Sequence, residues 1–115
     1  MFKTKRIYDE PDEEDGFRVL VDRLWPRGVS REEAQLDEWL KDVSPSPELR
    51  KWFDHVPERF DKFRKRYRKE LSRNDEPVDT LIATSNEQPV TLLYAAKDEI
   101  HNHAVVLQEF LEDHS

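Results

Sequence analysis

Phe17-Arg18-Val19-Leu20-Val21-Asp22-Arg23-Leu24-Trp25-Pro26-Arg27-Gly28 begins as a short apolar run and breaks off in polar residues and a turn. A short, near-continuous apolar run is what a strand buried on both faces of a parallel sheet requires. A strand is therefore expected over Phe17–Asp22. Asp22, Arg23, Trp25 and Arg27, a carboxylate, two guanidinium groups and an indole, then arrive together at its carboxyl end. Ligands of open α/β sheets bind at such ends.

A second run, Val90-Thr91-Leu92-Leu93-Tyr94, follows Pro89 and breaks off in Ala95-Ala96-Lys97-Asp98. The two strands are expected to be parallel, adjacent or one strand apart, with Arg23 and Lys97 emerging at the same sheet edge. A last helix is expected from about Glu99, with Ala104, Leu107 and Leu111 on one face. Its first turn would offer unpaired backbone N–H groups beside Lys97, Tyr94 and His103.

Helical signals fill the middle of the chain. Ser30 and Glu33 have the spacing of a capping box. Ser46 suits an N-cap and Pro47 the first helical position, followed by an apolar face of Leu49, Trp52 and Phe53. Pro57 opens another helix, in which Phe60, Phe63, Tyr67 and Leu71 form one stripe. Pro77–Ala83 suits a short helix. Residues 2–8 read as a weaker strand, Asp9–Gly16 as a solvated acidic loop, and Leu36–Val43 as extended. The fold expected is α/β, one compact domain over residues 1–115, with a small, largely parallel sheet flanked by helices.

Of 115 residues, 36% are hydrophobic and 39% charged, and the net charge is −7. Three Trp, three Tyr and six Phe, clustered and periodic, supply a core and argue against disorder. The acidic balance disfavours non-specific binding to nucleic acid or anionic membrane. The absence of cysteine removes disulfides, thiolate ligands and thiol nucleophiles. The chain is charged from Lys3 onward, and no stretch approaches the ~20 apolar residues of a membrane span. A cytosolic protein is expected.

Arg23 and Arg27 are the sharpest candidates for a site, because a guanidinium binds a carboxylate or phosphate through two parallel hydrogen bonds. The alternative for each is a structural ion pair with Asp22, Asp98 or another acid. Trp25 is a cleft wall or a core plug. Arg50 points into the same cleft or forms a surface salt bridge. Tyr94 would supply a second wall, Lys97 a further cation, and His103 with Asp22 an acid–base pair. His101 and His103, two apart on a helix, face away from each other, so no metal is expected. Neither a dinucleotide-binding glycine motif, a phosphate loop nor a serine nucleophile elbow occurs, and no cofactor is expected.

Across nearly its whole length, from Lys5-Arg6-Ile7-Tyr8 to Leu111, the chain resembles the YeaO-like family of prokaryotic proteins. The resemblance is carried by Val19 to Gly28, by Ser46 with Leu49-Arg50, and by Thr91 to Asp98. Asn102-His103-Ala104-Val105-Val106-Leu107 completes it. It implies a compact α/β domain and brings no established reaction. Members of the larger group carry cysteine near the second strand end and near the histidine, where this chain has Tyr94 or its neighbours and Asn102. A thiol mechanism is thereby put in doubt.

Together these readings point to an anion-binding cleft for a small phosphorylated or carboxylated molecule, with catalysis left open. Two alternatives are a nucleic-acid or protein-binding module without catalysis, and a structural or adaptor protein docking through the basic helix Arg59–Lys69.

Overall fold

The computed structural model describes all residues from Met1 to Ser115. Four strands form one sheet in the order β1-β4-β2-β3, and every neighbouring pair is parallel. They are β1 (Phe2–Arg6), β2 (Phe17–Leu20), β3 (Glu38–Trp39) and β4 (Val90–Tyr94). Five helices connect and cover them: α1 (Arg31–Ala34), α2 (Pro47–Phe53), α3 (Phe60–Leu71), α4 (Asp75–Ser85) and α5 (His103–Asp113). The two apolar runs are central neighbours, with Val19 opposite Leu92 and Leu20 opposite Leu93.

Strand side chains alternate between faces, and the packing follows that alternation. Val19, Val21, Val90, Leu92 and Tyr94 join the larger core, together with Phe53, Phe63, Tyr67 and Leu71 of α2 and α3 and Leu107 and Leu111 of α5. Leu20 and Leu93 face the other way, into a smaller cluster with Ile7 and Ala34 that Trp25 and Trp39 cover. The stripe Phe60, Phe63, Tyr67, Leu71 is buried throughout.

Both capping signals hold. The Ser30 hydroxyl accepts from Glu33 N while Glu33 reaches back to Ser30 N, and Ser46 caps α2 with Pro47 at its first turn. Four expectations need correction. The last helix begins at His103, capped by Asn102, rather than near Glu99. Asp98 Oδ1 takes the N–H groups of Ile100 and His101 into a tight turn instead, which delays the helix. The segment before β2 is not wholly solvated, since it ends in a 3-10 turn, Glu13–Asp15, and Asp15 is buried. Leu36–Val43 is extended only at Glu38–Trp39, after which Lys41–Val43 is another 3-10 turn. The helix expected over Pro77–Ala83 runs longer, from Asp75 to Ser85.

Gly16 closes the acidic segment at φ +64°, and a Cβ there would lie 2.3 Å from the Pro89 carbonyl oxygen. Only glycine allows this segment to press against the residue that leads into β4. No helix is long and apolar enough to cross a membrane.

Candidate functional site

Three parallel strands, β1, β2 and β4, end on one edge of the sheet, and their exits are tied together there. Asp22 Oδ2 accepts a hydrogen bond from Ala95 N at 3.0 Å, joining the end of β2 to that of β4. Arg6 Nε donates to the Ala96 carbonyl at 2.9 Å, joining β1 to β4. Tyr8 OH donates to the Arg27 carbonyl at 3.0 Å, fixing the turn after β2 against the segment after β1.

Above this edge lies a cleft of about 360 Å³, within the range of roughly 300–1,000 Å³ usual for small-molecule sites. Asp22, Arg23, Trp25, Arg27, Arg50 and His103 all line it. The turn after β2 brings Asp22, Arg23, Trp25 and Arg27, α2 brings Arg50, and the first residue of α5 is His103. Two other candidates are not brought there. Tyr94 is buried in the larger core, and burial, reinforced by the nearby Glu99 carboxylate, raises its phenol above the ordinary range. Lys97 projects from the loop after β4 but is exposed and not among the lining residues. The late start of α5 explains this, because its first turn opens five residues or more beyond Lys97.

The ion-pair alternative for the arginines is not realised. Arg18, Arg64 and Arg68 each meet a carboxylate, whereas Arg23, Arg27 and Arg50 have none within 4.0 Å. Arg23 Nη2 donates to the Pro45 carbonyl at 3.2 Å, and its Nε is buried without a partner. Trp25 is at once a wall and a plug. It lines the cleft, donates its indole N–H to the Val29 carbonyl at 2.7 Å, and packs edge-on against Trp39.

His103 Nε2 lies 3.0 Å from the Val21 carbonyl and 3.1 Å from Asp22 Oδ1. A carbonyl oxygen only accepts, so Nε2 carries the proton. Its alignment is to Val21, leaving Asp22 Oδ1 buried beside the imidazole with no aligned donor. A neutral His103 therefore accepts only through Nδ1.

Several lining residues lie outside the sequence candidates: Tyr8, Ser44, Phe53, His55, Phe63 and Asn102. Phe53 and Phe63 were expected in the core, where they also belong, with rings stacked at 4.4 Å. His55 follows α2 with φ +55°, directly after Asp54 at φ +49°. Two successive left-handed residues turn the chain back toward the cleft, a conformation that Asp and His tolerate better than most. The only available signal was the break Asp54-His55-Val56-Pro57 between two helices. Ser44 Oγ donates to the Lys41 carbonyl, and Asn102 caps α5, so both are held by the backbone. No three histidine or acidic side chains gather in a way that could hold a metal ion.

Over residues 1–115 the chain matches the family described as the inactive DUF488-N3 subclade. It is 45% identical over 109 residues to the uncharacterised protein YeaO of Escherichia coli (strain K12), spanning 95% of each chain. An uncharacterised protein of Mycobacterium tuberculosis (strain ATCC 25618 / H37Rv) is 40% identical over 109 residues, 95% of this chain and 92% of that relative. No solved structure matches the chain significantly.

Proposed function

The chain belongs to the YeaO-like family, the inactive DUF488-N3 subclade, and from that footing we propose that it is a binding protein whose cleft holds a small phosphorylated or carboxylated molecule. One observation carries the reading. Arg23, Arg27 and Arg50 share a recess of about 360 Å³ and none is paired with an acid. Acid is plentiful, with 26 Asp and Glu against 19 Lys and Arg. Three cations left together in such a chain repel one another, and an anion seated among them relieves that repulsion with charge-assisted bonds.

Binding, rather than reaction, is what the remaining lining groups suit. The chain has no thiol. The hydroxyls of Ser44 and Tyr8 are both given to backbone carbonyls, so neither is held against a base as an activated nucleophile would be. His103 and Asp22 touch one another and tie α5 to the end of β2, a positioning role as much as a chemical one. The adaptor alternative draws less support, because Arg64 and Arg68 of the basic helix are tied to Glu109 and Asp113 of α5.

Thermal melting with inorganic phosphate, nucleotides and small dicarboxylates tests the proposal. A ligand at about a hundred times its Kd stabilises by about 2.7 kcal/mol, which raises Tm by roughly 10 °C in a domain of this size. Native mass spectrometry of the purified protein would show a retained ligand directly. No Tm response to any anion, together with salt-steep binding to oligonucleotides, would replace this reading with a nucleic-acid one.

A further inference from the structure

We propose that the anion taken by this cleft is the head of an amphiphilic molecule, a phosphate or carboxylate borne on an apolar or aromatic body. The inference rests on the anion reading above and narrows its ligand class.

It comes from the apolar groups interleaved with the cations. Leu24 separates Arg23 from Trp25, and Leu24 is 60% exposed although the turn that carries it is anchored before it at Asp22 and after it at Arg27. Only four large hydrophobic side chains are exposed in the whole chain: Met1, Tyr8, Leu24 and Ile100. Two of them, Tyr8 and Leu24, line this one cleft. A domain that places two of its four exposed large hydrophobes around one cationic recess offers a surface there that a ligand can cover.

The cleft wall repeats the pairing. Arg50 and Phe53 stand three residues apart on α2, on neighbouring positions of one helix face. Phe53 stacks on Phe63, and the two aromatic rings belong to the same lining as Arg50. Phe53 and Phe63 are themselves nearly buried and form the floor, so inorganic phosphate or a short dicarboxylate would satisfy the guanidinium groups and leave the exposed Leu24 and Tyr8 wet. A molecule whose charged end joins directly to a ring or a short hydrocarbon fills both parts at once, in the manner usual for small-ligand pockets.

Isothermal titration with inorganic phosphate, methyl phosphate and phenyl phosphate tests the inference. The expected result is a Kd that falls along this series, by about ten-fold or more from the first to the last, as apolar area is buried. Leu24→Ser, at an exposed position where folding is not at stake, should cut that ratio by at least about three-fold. Equal affinity for all three probes, lost in Arg27→Gln, would overturn the amphiphile while leaving the anion site standing. A graded series that Leu24→Ser leaves untouched would also overturn it, since the apolar body would then lie elsewhere. Failure of all three probes, and of acetate and benzoate titrated alongside them, would remove the anion reading and this inference together.

Discussion

Arg18 donates to Asp15 across 2.6 Å with both side chains shut away from solvent, whereas Arg23, at the far end of the same strand, has no acidic partner. The first arginine is completed by the fold. Lys5 from β1 joins the same carboxylate at 3.1 Å, and Arg18 gives its other N–H groups to the carbonyls of Ala34 and Gln35. One strand thus carries a structural guanidinium at its amino end and an unmatched one at its exit.

That contrast sets opposite expectations for substitutions. Asp15→Asn strands Arg18 and Lys5 without their counter-charge, and breaking a buried pair by removing one partner costs about 3–5 kcal/mol. Urea denaturation should show the midpoint falling with the m-value unchanged. A loss below about 1 kcal/mol would mean that the pair adds little to the fold.

Arg23→Gln and Arg27→Gln should each change stability by no more than about 1 kcal/mol, because no acid is stranded and at most one bond to a carbonyl is lost. The same variants should lose most of the Tm response to anions. Strong destabilisation with no anion response in the wild type would turn the cleft arginines into structural groups.

Acid stability follows from two carboxylates. Asp98 is lowered to about 2, first by the N–H groups of His101 and Ile100 and then by the His101 ring. For Asp15 burial pushes upward, but the Asp12 N–H, Lys5 and Arg18 outweigh it, and the net direction is down. A pKa lower in the folded than in the unfolded chain means that the unfolded chain binds more protons between the two values. This stability is fully present above the ordinary carboxylate value of 3.8 and is lost as pH falls through about 2. Asp98→Asn should flatten the acid limb of a Tm–pH curve between these values and leave the curve near neutral pH parallel to the wild type. An unchanged acid limb would show that the Asp98 turn does not persist in solution.

The two glycines should separate backbone strain from collision. Gly28, at φ +76°, has nothing within 4 Å of an added Cβ, so Gly28→Ala should cost only the left-handed penalty of about 1–2 kcal/mol. Gly16→Ala adds a 2.3 Å encounter with the Pro89 carbonyl oxygen and should cost clearly more. Equal losses in denaturant would show that the Pro89 segment yields.

What the sequence made legible is what short-range chemistry controls. Apolar runs located β2 and β4, the Ser30 and Ser46 caps located α1 and α2, and a 3-4-4 spacing located α3. Features decided by competition among nearby polar groups, or by partners on another strand, were hidden. Asp15 looked solvated because its partner Lys5 lies ten residues earlier, across β1. The start of α5 was misplaced because Asp98 competes for the N–H groups that a helix would have used, leaving the cap to Asn102. Six of the eight candidate site residues converge, since strand exits are a topological property that apolar runs reveal. Tyr8 and His55 went unseen because each enters the cleft from an element whose placement only the folded sheet determines.

Trp25 faces the cleft, Trp39 touches it edge-on at 5.3 Å, and the Trp39 indole donates to the backbone carbonyl of Asp22 at 2.8 Å. The third indole, Trp52, lies outside the cleft lining, with Arg66 over its ring. The molecule therefore carries its own optical gauge. A guest settling beside Trp25 alters the surroundings of two coupled emitters while the third supplies a steady background. Intrinsic fluorescence, with no label and no assay of turnover, can then screen compounds against this protein and against relatives that keep the same pair of indoles.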